Sequence, residues 1–548
     1  MCNLMFKLGF MKKLISLTEL IFILLIIFSC SPVKKNNQKS NVIIIHPIVI
    51  QSDNGGEPAQ MKLSEQLVNR AYSKANIEFH YLEPTYYNNT KARDGEINLD
   101  SIVNLSKRDR ILKGQNDIIN MFFVNAIDGN YGPTGRGMMN GNIVFIALGD
   151  KNKTKIEDNK SMEAFVIAHE VGHNLGLKHV VDDINIIDSL PNIQGDGEFK
   201  DRIDPINSLN SYQIKEIYKS PLVHSRISFL GKSQASVAIL DETFEPYFSK
   251  LQRKEISTFV QEKAPKNIDS ARAFARMKFS SAVMDFSSQE KEILTFVVKK
   301  TNRWLLENDI NLMANQPWRF IKIQNWLCGG FAHTRGTYII LSQAYLDRLS
   351  TDWSDNMTEE SELKLVTSLG GLLVHEQMHS LQRTFKSKFK KLYSENWNFI
   401  NQQIKDEQEI IKDQVSNPDA PIAEWLIPDP EIRDKFYWIR TLITKNVEIP
   451  EMGKDFVDVA FDIFKDKENY SLIKLNNTIS SRPLSELDFY TKSFPVKRGL
   501  DHPNEISAYM FSNFFKAGYN SKSPFLEKQT NSSDNYNLFL SWIKTDMK

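Results

Sequence analysis

The sequence predicts an α+β (mixed α/β) protein of two domains in series, each with a mixed sheet and a helix bearing a pair of histidines, the second domain mostly helical. Three observations predict it. The chain has 548 residues, more than one hydrophobic core supports. In both halves, short runs of β-branched residues precede stretches of helical periodicity. The pattern His-Glu-x-x-His occurs twice, at 169–173 and at 375–379, each time in an apolar helical stretch.

The elements follow in order. Lys12 and Lys13 precede an apolar run over 14–28, too short for a membrane span and laid out like a secretory signal, with Met11 opening it. The run ends in Ser29-Cys30, which resembles the lipobox of bacterial lipoproteins. That resemblance implies a signal peptide over 1–30, acylation of Cys30, and a protein held to the membrane of the bacterial cell envelope only by its lipid, on the periplasmic side or at the surface. Residues 31–40 are polar and read as a tether. A strand follows over 41–50, a helix over 61–75 and strands over 118–126 and 142–148, with a glycine-rich irregular stretch at 129–141 between the last two. The first motif lies on a helix over 162–177. The pattern loosens after 225, so the first domain is expected over 41–225 and the second over 240–548. In the second, helices are expected over 290–307, 363–385 and 504–515 and strands over 318–324 and 337–341; the prolines at 418, 421, 428 and 430 predict a loop or broken segment over 415–432.

Composition narrows the function classes. The hydrophobic fraction is 41%, the charged fraction 25% and the formal net charge +1, values of a folded protein without the basic surplus that nucleic acid would attract. No nucleic-acid partner is expected. Only Cys2, Cys30 and Cys328 are present, so no disulfide framework is expected and Cys328 reads as a small buried residue.

The first motif is His169-Glu170-Val171-Gly172-His173-Asn174-Leu175-Gly176-Leu177-Lys178-His179. Residues i and i+4 share a helix face, so His169 and His173 can offer nitrogens to one ion, and Glu170 can take a proton from water beside it. Gly176 lets the chain turn back and bring in His179 as a third ligand, leaving the fourth position open, as catalytic zinc requires. The motif resembles that of the metzincin clan of zinc peptidases. The resemblance implies a substrate-aligning edge strand in 135–146 and a methionine turn below the metal; no methionine follows His179 until Met277, and Ile187 occupies the matching place.

The second motif, His375-Glu376-Gln377-Met378-His379, lacks a Gly-x-x-His sequel. Its third ligand is expected to be Glu505, in an Asn504-Glu505-Ile506-Ser507-Ala508 stretch that resembles the ligand helix of gluzincins, with His502 and Tyr509 as donors to the reacting centre. Glu376 would be its base. His46, His80, His224, His333 and His502 have no ligand spacing and read as structural, with the donor role left open for His502.

Together these readings imply a zinc-dependent metalloendopeptidase, lipid-anchored to the cell envelope, with one zinc ion per domain and a peptide or protein substrate. Two rival readings stand beside it: a zinc hydrolase acting on a non-peptide bond, and a surface binding or adhesion lipoprotein whose zinc is structural.

Overall fold

The structure is a computed structural model that describes residues 38–148, 160–183, 185–186, 191–354, 356–405, 407–520 and 533–548. Cys30, the leader and Ile187 lie outside the described residues. Among the described residues no helix is long and apolar enough to cross a membrane.

The fold is α+β. A seven-stranded sheet forms the N-terminal part, in the order Ile77–Tyr81, Asn41–Gln51, Ile119–Val124, Ile143–Ala147, Thr134–Gly137, with Thr85–Asn88 and His224–Ser225 also on the long strand. The first four strands of that order run parallel, and Thr134–Gly137 closes the edge antiparallel. Its central strands Ile119–Val124 and Ile143–Ala147 are buried at every position because both faces are covered. Val144 and Ile146 meet the motif helix Lys160–Asn174 in one core, while Ile143, Phe145 and Ala147 turn to a second core with the helix Leu99–Arg108.

The chain leaves this sheet at Ser225 and enters the next at Ile227. The intervening Arg226 holds the two together: its guanidinium donates to Glu78 (2.7 Å) and to the carbonyls of Lys39 and Asn315, and its own carbonyl accepts from Trp318. The second sheet has the order Ile227–Phe229, Trp318–Ile323, Tyr338–Ser342, His333–Arg335, with Val283–Met284 beside Trp318–Ile323. It repeats the plan of the first, parallel strands with a short antiparallel strand at the edge. Phe320, Ile339 and Leu341 pack on the helices Ser288–Glu307 and Gly371–Thr384, and Ile321, Ile323 and Ile340 on Arg253–Val260 and Ile268–Ser281.

A third sheet is wholly antiparallel, in the order Ile400–Asn401, Trp425–Pro428, Lys435–Ile443, Phe456–Asp466, Asn469–Leu472, with Gln414–Val415 and Ser481–Pro483 alongside. Part of it falls in the proline-rich stretch expected to be broken: Trp425–Pro428 is a short strand that ends at its proline, where the missing N–H no longer matters. The long strands at Lys435–Ile443 and Phe456–Asp466 were not placed from the sequence, although their β-branched and aromatic runs carried the signal.

Candidate metal centres

The first centre is built from the C-terminal end of the helix Lys160–Asn174 and the chain that follows it. Gly176 has φ +90°, a conformation other residues resist, and this turns the chain back so that His179 faces the helix. His169 Nδ1 lies 2.6 Å from the carbonyl oxygen of Ile193, and His173 Nδ1 lies 2.7 Å from that of Leu177. A carbonyl only accepts, so both Nδ1 atoms carry the proton and both Nε2 atoms present lone pairs. His179 Nε2 is 3.2 Å from His169 Nε2, and one nitrogen from each of the three rings falls within 4.8 Å of the others. Lone pairs gathered this way repel one another unless a cation lies among them. Nitrogens about 2.05 Å from a tetrahedral zinc would be ~3.3 Å apart, so the donor set fits that ion.

Glu170 faces the edge strand. Its carboxylate accepts the N–H of Gly137 at 2.6 Å. The strand comes this close only because it is glycine there: a Cβ at Gly135 would be 2.4 Å from Glu170 Cγ, and one at Gly137 would be 2.0 Å from the Glu170 carbonyl oxygen. Burial raises the Glu170 carboxyl to about 7, against the lowering effect of the Gly137 N–H and Arg136. Asn174 ties the helix end to the strand loop, donating to the carbonyls of Met138, Gly141 and Ile143.

The second centre is buried. The structure brings His375 and His379 of the helix Gly371–Thr384 together with Glu505 of the helix Pro503–Tyr519. His375 Nε2 and His379 Nε2 are 3.2 Å apart, and the two Glu505 oxygens lie 3.5 and 3.6 Å from them. His379 Nδ1 donates to Gln382 Oε1 at 2.8 Å, and the Gln382 amide in turn donates to Asn504 O and Ser507 Oγ on the ligand helix. Burial opposes ionisation of Glu505, but His379, His375 and the Asn417 amide hold its carboxyl well below the usual range. This donor set also fits a zinc ion, with two imidazoles and a carboxylate. Glu376 takes the place that Glu170 has in the first centre. Its carboxylate accepts from Thr334 Oγ1 at 2.9 Å, on the edge strand His333–Arg335, and burial and the charge of Asp419 raise its pKa.

The geometry decides between the two readings of His502, and one residue was missed. Both ring nitrogens of His502 are engaged, Nε2 with the Ile422 carbonyl and Nδ1 as acceptor from Asn504 N, so it caps the ligand helix and is not free to act as a donor at the centre. Tyr509 lies beside the centre, its ring 4.5 Å from that of His375. Asp419, absent from the sequence reading, lies within 4.8 Å of Glu376 and His379 and accepts from Thr334 N at 2.7 Å. It stands in an irregular segment with no helical spacing to mark it.

No family model matches the chain, and no curated protein matches it. Among solved structures it is similar to metalloproteinase-II from Bacteroides fragilis, at 13% identity over 34% of this chain and 55% of that one, with a TM-score of 0.23. It is also similar to the archaemetzincin of Methanopyrus kandleri, at 11% identity over 34% of this chain and 98% of that one (TM-score 0.23). For the archaemetzincin of Archaeoglobus fulgidus complexed with malonate, the values are 15%, 32%, 99% and 0.20. The chain thus spans little more than half the length of the Bacteroides protein. The functional reading rests on the two centres.

Proposed function

We propose that the chain is a zinc-dependent peptidase with two hydrolytic centres, His169–His173–His179 with Glu170 as base and His375–His379–Glu505 with Glu376 as base. The observation that carries the reading is shared by both: three converging lone-pair donors, with a carboxylate of raised pKa on the same helix and in contact with an edge strand.

Bound zinc would supply Lewis acidity and a more acidic water. The remaining chemistry belongs to the chain. Among the described residues the edge strand Thr134–Gly137 is paired on one side only, so its other side can take an extended peptide by main-chain hydrogen bonds. Glu170, aimed between that strand and the imidazoles, takes a proton from the attacking water and returns it to the leaving nitrogen. Its raised pKa suits a group that must both accept and release a proton near neutrality. Glu376 performs the same steps in the buried centre. The edge strand beside Glu170 favours a peptide over other hydrolysable bonds, and a structural metal has no need of such a base. The division into two domains near residue 225 and lipid attachment through Cys30 at the cell envelope belong to the same proposal.

The test uses the full-length zinc-loaded protein and a mixed peptide library. Glu170→Gln and Glu376→Gln should each keep the metal and remove one component of cleavage, by about 10²- to 10⁴-fold. Cleavage that survives in the double variant would refute the assignment, and a metal-loaded wild type that cleaves no peptide would favour the binding-protein reading.

A further inference from the structure

The antiparallel sheet that follows the second motif closes over its centre. Together they line an open cavity of about 510 Å³ whose walls include His375, Glu376 and Glu505. Three more carboxylates line it, Asp419, Asp458 and Asp501, against a single lysine, Lys516. Two of the five carboxylates have work already, Glu505 with the imidazoles and Glu376 as base. Asp419 is held by Thr334 N and has Arg383 Nη2 at 4.0 Å.

Asp458 and Asp501 are left over. Asp458 stands on the strand Phe456–Asp466 directly across from Thr441, whose hydroxyl donates to it at 2.7 Å. Asp501 accepts from the Asn417 amide at 3.3 Å. Both partners are neutral, and among the described residues no lysine or arginine lies within ion-pair distance of either carboxylate. Half-buried carboxylates in a confined space, paired only with neutral donors, are poorly compensated, and a cation among them would stabilise their charged forms.

An independent observation points the same way. His333, on the edge strand, is buried and lines this cavity. Its Nδ1 lies 3.1 Å from the carbonyl of Phe331, so Nδ1 holds the proton and Nε2 presents a lone pair. Nε2 is buried with no hydrogen-bond partner. His333 therefore adds an acceptor, not a donor, to the carboxylate-rich side of the cavity. The apolar part of the lining, Phe259, Phe331, Met452 and Phe456, suits the methylene stem of a long side chain.

We infer that the second centre selects substrates carrying a positively charged nitrogen close to the scissile bond, with Asp458 and Asp501 as its counter-charges. This rests on the peptidase reading of that centre and names its substrate class. The charged nitrogen can come from a lysine or arginine side chain or from a free peptide N-terminus. The antiparallel sheet then has a function, since it carries Asp458 and supplies Thr441 and Phe456 to the same wall.

The experiment uses full-length zinc-loaded protein with Glu170→Gln, which leaves the second centre to act alone. One peptide sequence is made in four forms, with lysine or norleucine inside and with a free or acetylated N-terminus. The lysine comparison on acetylated peptides reads the side chain, and the acetylation comparison on norleucine peptides reads the N-terminus. A cationic form should exceed its neutral counterpart by about 10- to 100-fold in kcat/KM, and Asp458→Asn should reduce that ratio about tenfold. Asp501→Asn, read in the same way, covers the case in which Asp458→Asn does not fold. The same peptides are titrated into the Glu170→Gln, Glu376→Gln protein, where binding is read without turnover. Preferential binding without cleavage in the active protein would uphold the selection and refute the peptidase reading. Cleavage with equal rates for cationic and neutral forms would do the reverse, and equal rates together with equal binding overturn the inference.

Discussion

Alanine at position 137 tests the contact on which the first centre depends. Its Cβ would lie 2.0 Å from the Glu170 carbonyl oxygen, 2.9 Å from the carbonyl carbon and 3.2 Å from His173 Cβ. A relaxed carbon–oxygen contact is about 3.3 Å, so the strand must retreat from the helix by roughly an ångström or more. The 2.6 Å hydrogen bond from Gly137 N to the Glu170 carboxylate cannot survive that movement, and the edge strand that would align a peptide shifts with it. Crowding of this kind costs about 1–3 kcal/mol of stability, and a 1 Å misplacement of a catalytic geometry costs on the order of 10²-fold in rate. The metal should stay, because the carbonyls of Ile193 and Leu177 that orient His169 and His173 do not lie on the strand. The assay is peptide hydrolysis by the full-length protein with Glu376→Gln, alongside metal analysis and thermal unfolding. Gly129→Ala is the reference: it lies in the same glycine-rich stretch with φ +74°, but nothing lies within 4 Å of its Cβ, so it adds backbone strain without a clash. Gly137→Ala with full zinc and turnover equal to that of Gly129→Ala would refute the argument that this contact sets the base.

Three further predictions follow from the same geometry. Metal analysis of the full-length protein should find two zinc ions per chain, with His179→Ala removing one and Glu505→Ala the other; a single ion unaffected by either substitution would discard the two-centre reading. Gln382→Leu should weaken zinc at the second centre by about 10- to 100-fold and leave the first unchanged, because it removes the amide that orients His379 and docks on the ligand helix; unchanged competition against a chelator would show that Gln382 plays no part. Burial lowers His46 to about 3 and His80 and His224 to about 4, so each is neutral when folded and binds a proton only when unfolded. Their contribution is intact above the unfolded value of about 6.5 and is lost as pH falls from there toward 4, at up to ~1.4 kcal/mol per pH unit for each group. Denaturant unfolding from about pH 7 to about pH 4.5 should show this slope, and His80→Gln should lessen it; an identical slope in the variant would rule His80 out.

The first centre was legible because its chemistry is local. His169 and His173 meet through helical spacing alone, Glu170 lies next to a ligand, and Gly176 announces the turn that returns His179. The second centre was legible only in part. Its two histidines follow the same helical rule, whereas Glu505 had to be proposed from a resembling motif far along the chain, and only the packing of two helices brings it to them. That packing depends on small contacts without a pattern of their own, such as Ser512 Oγ donating to Gly371 O at 2.6 Å and Gln382 bridging to Ser507. His502, for which a structural and a donor reading both stood, turns out structural, and which carbonyl it meets depends on where a loop passes.

What the sequence by itself determined is the α+β class, the two motif helices, several of the strands and the histidines that converge locally, all consequences of periodicity and of neighbours close in the chain. Only the tertiary structure decided which carboxylates face the second centre. Asp419, Asp458 and Asp501 come from an irregular segment, a strand and a turn, and His333 from an edge strand, so no spacing rule relates them. It likewise decided that the two halves share buried polar contacts. His80 meets Gln316, whose amide donates to Ser380 on the second motif helix, and the Glu83 N–H donates to the Thr384 carbonyl at that helix's end. The physical reason is that a buried polar group takes whichever partner the folded surfaces bring within hydrogen-bond reach, and that choice is made by the packing of whole elements rather than by the residues beside it in the chain.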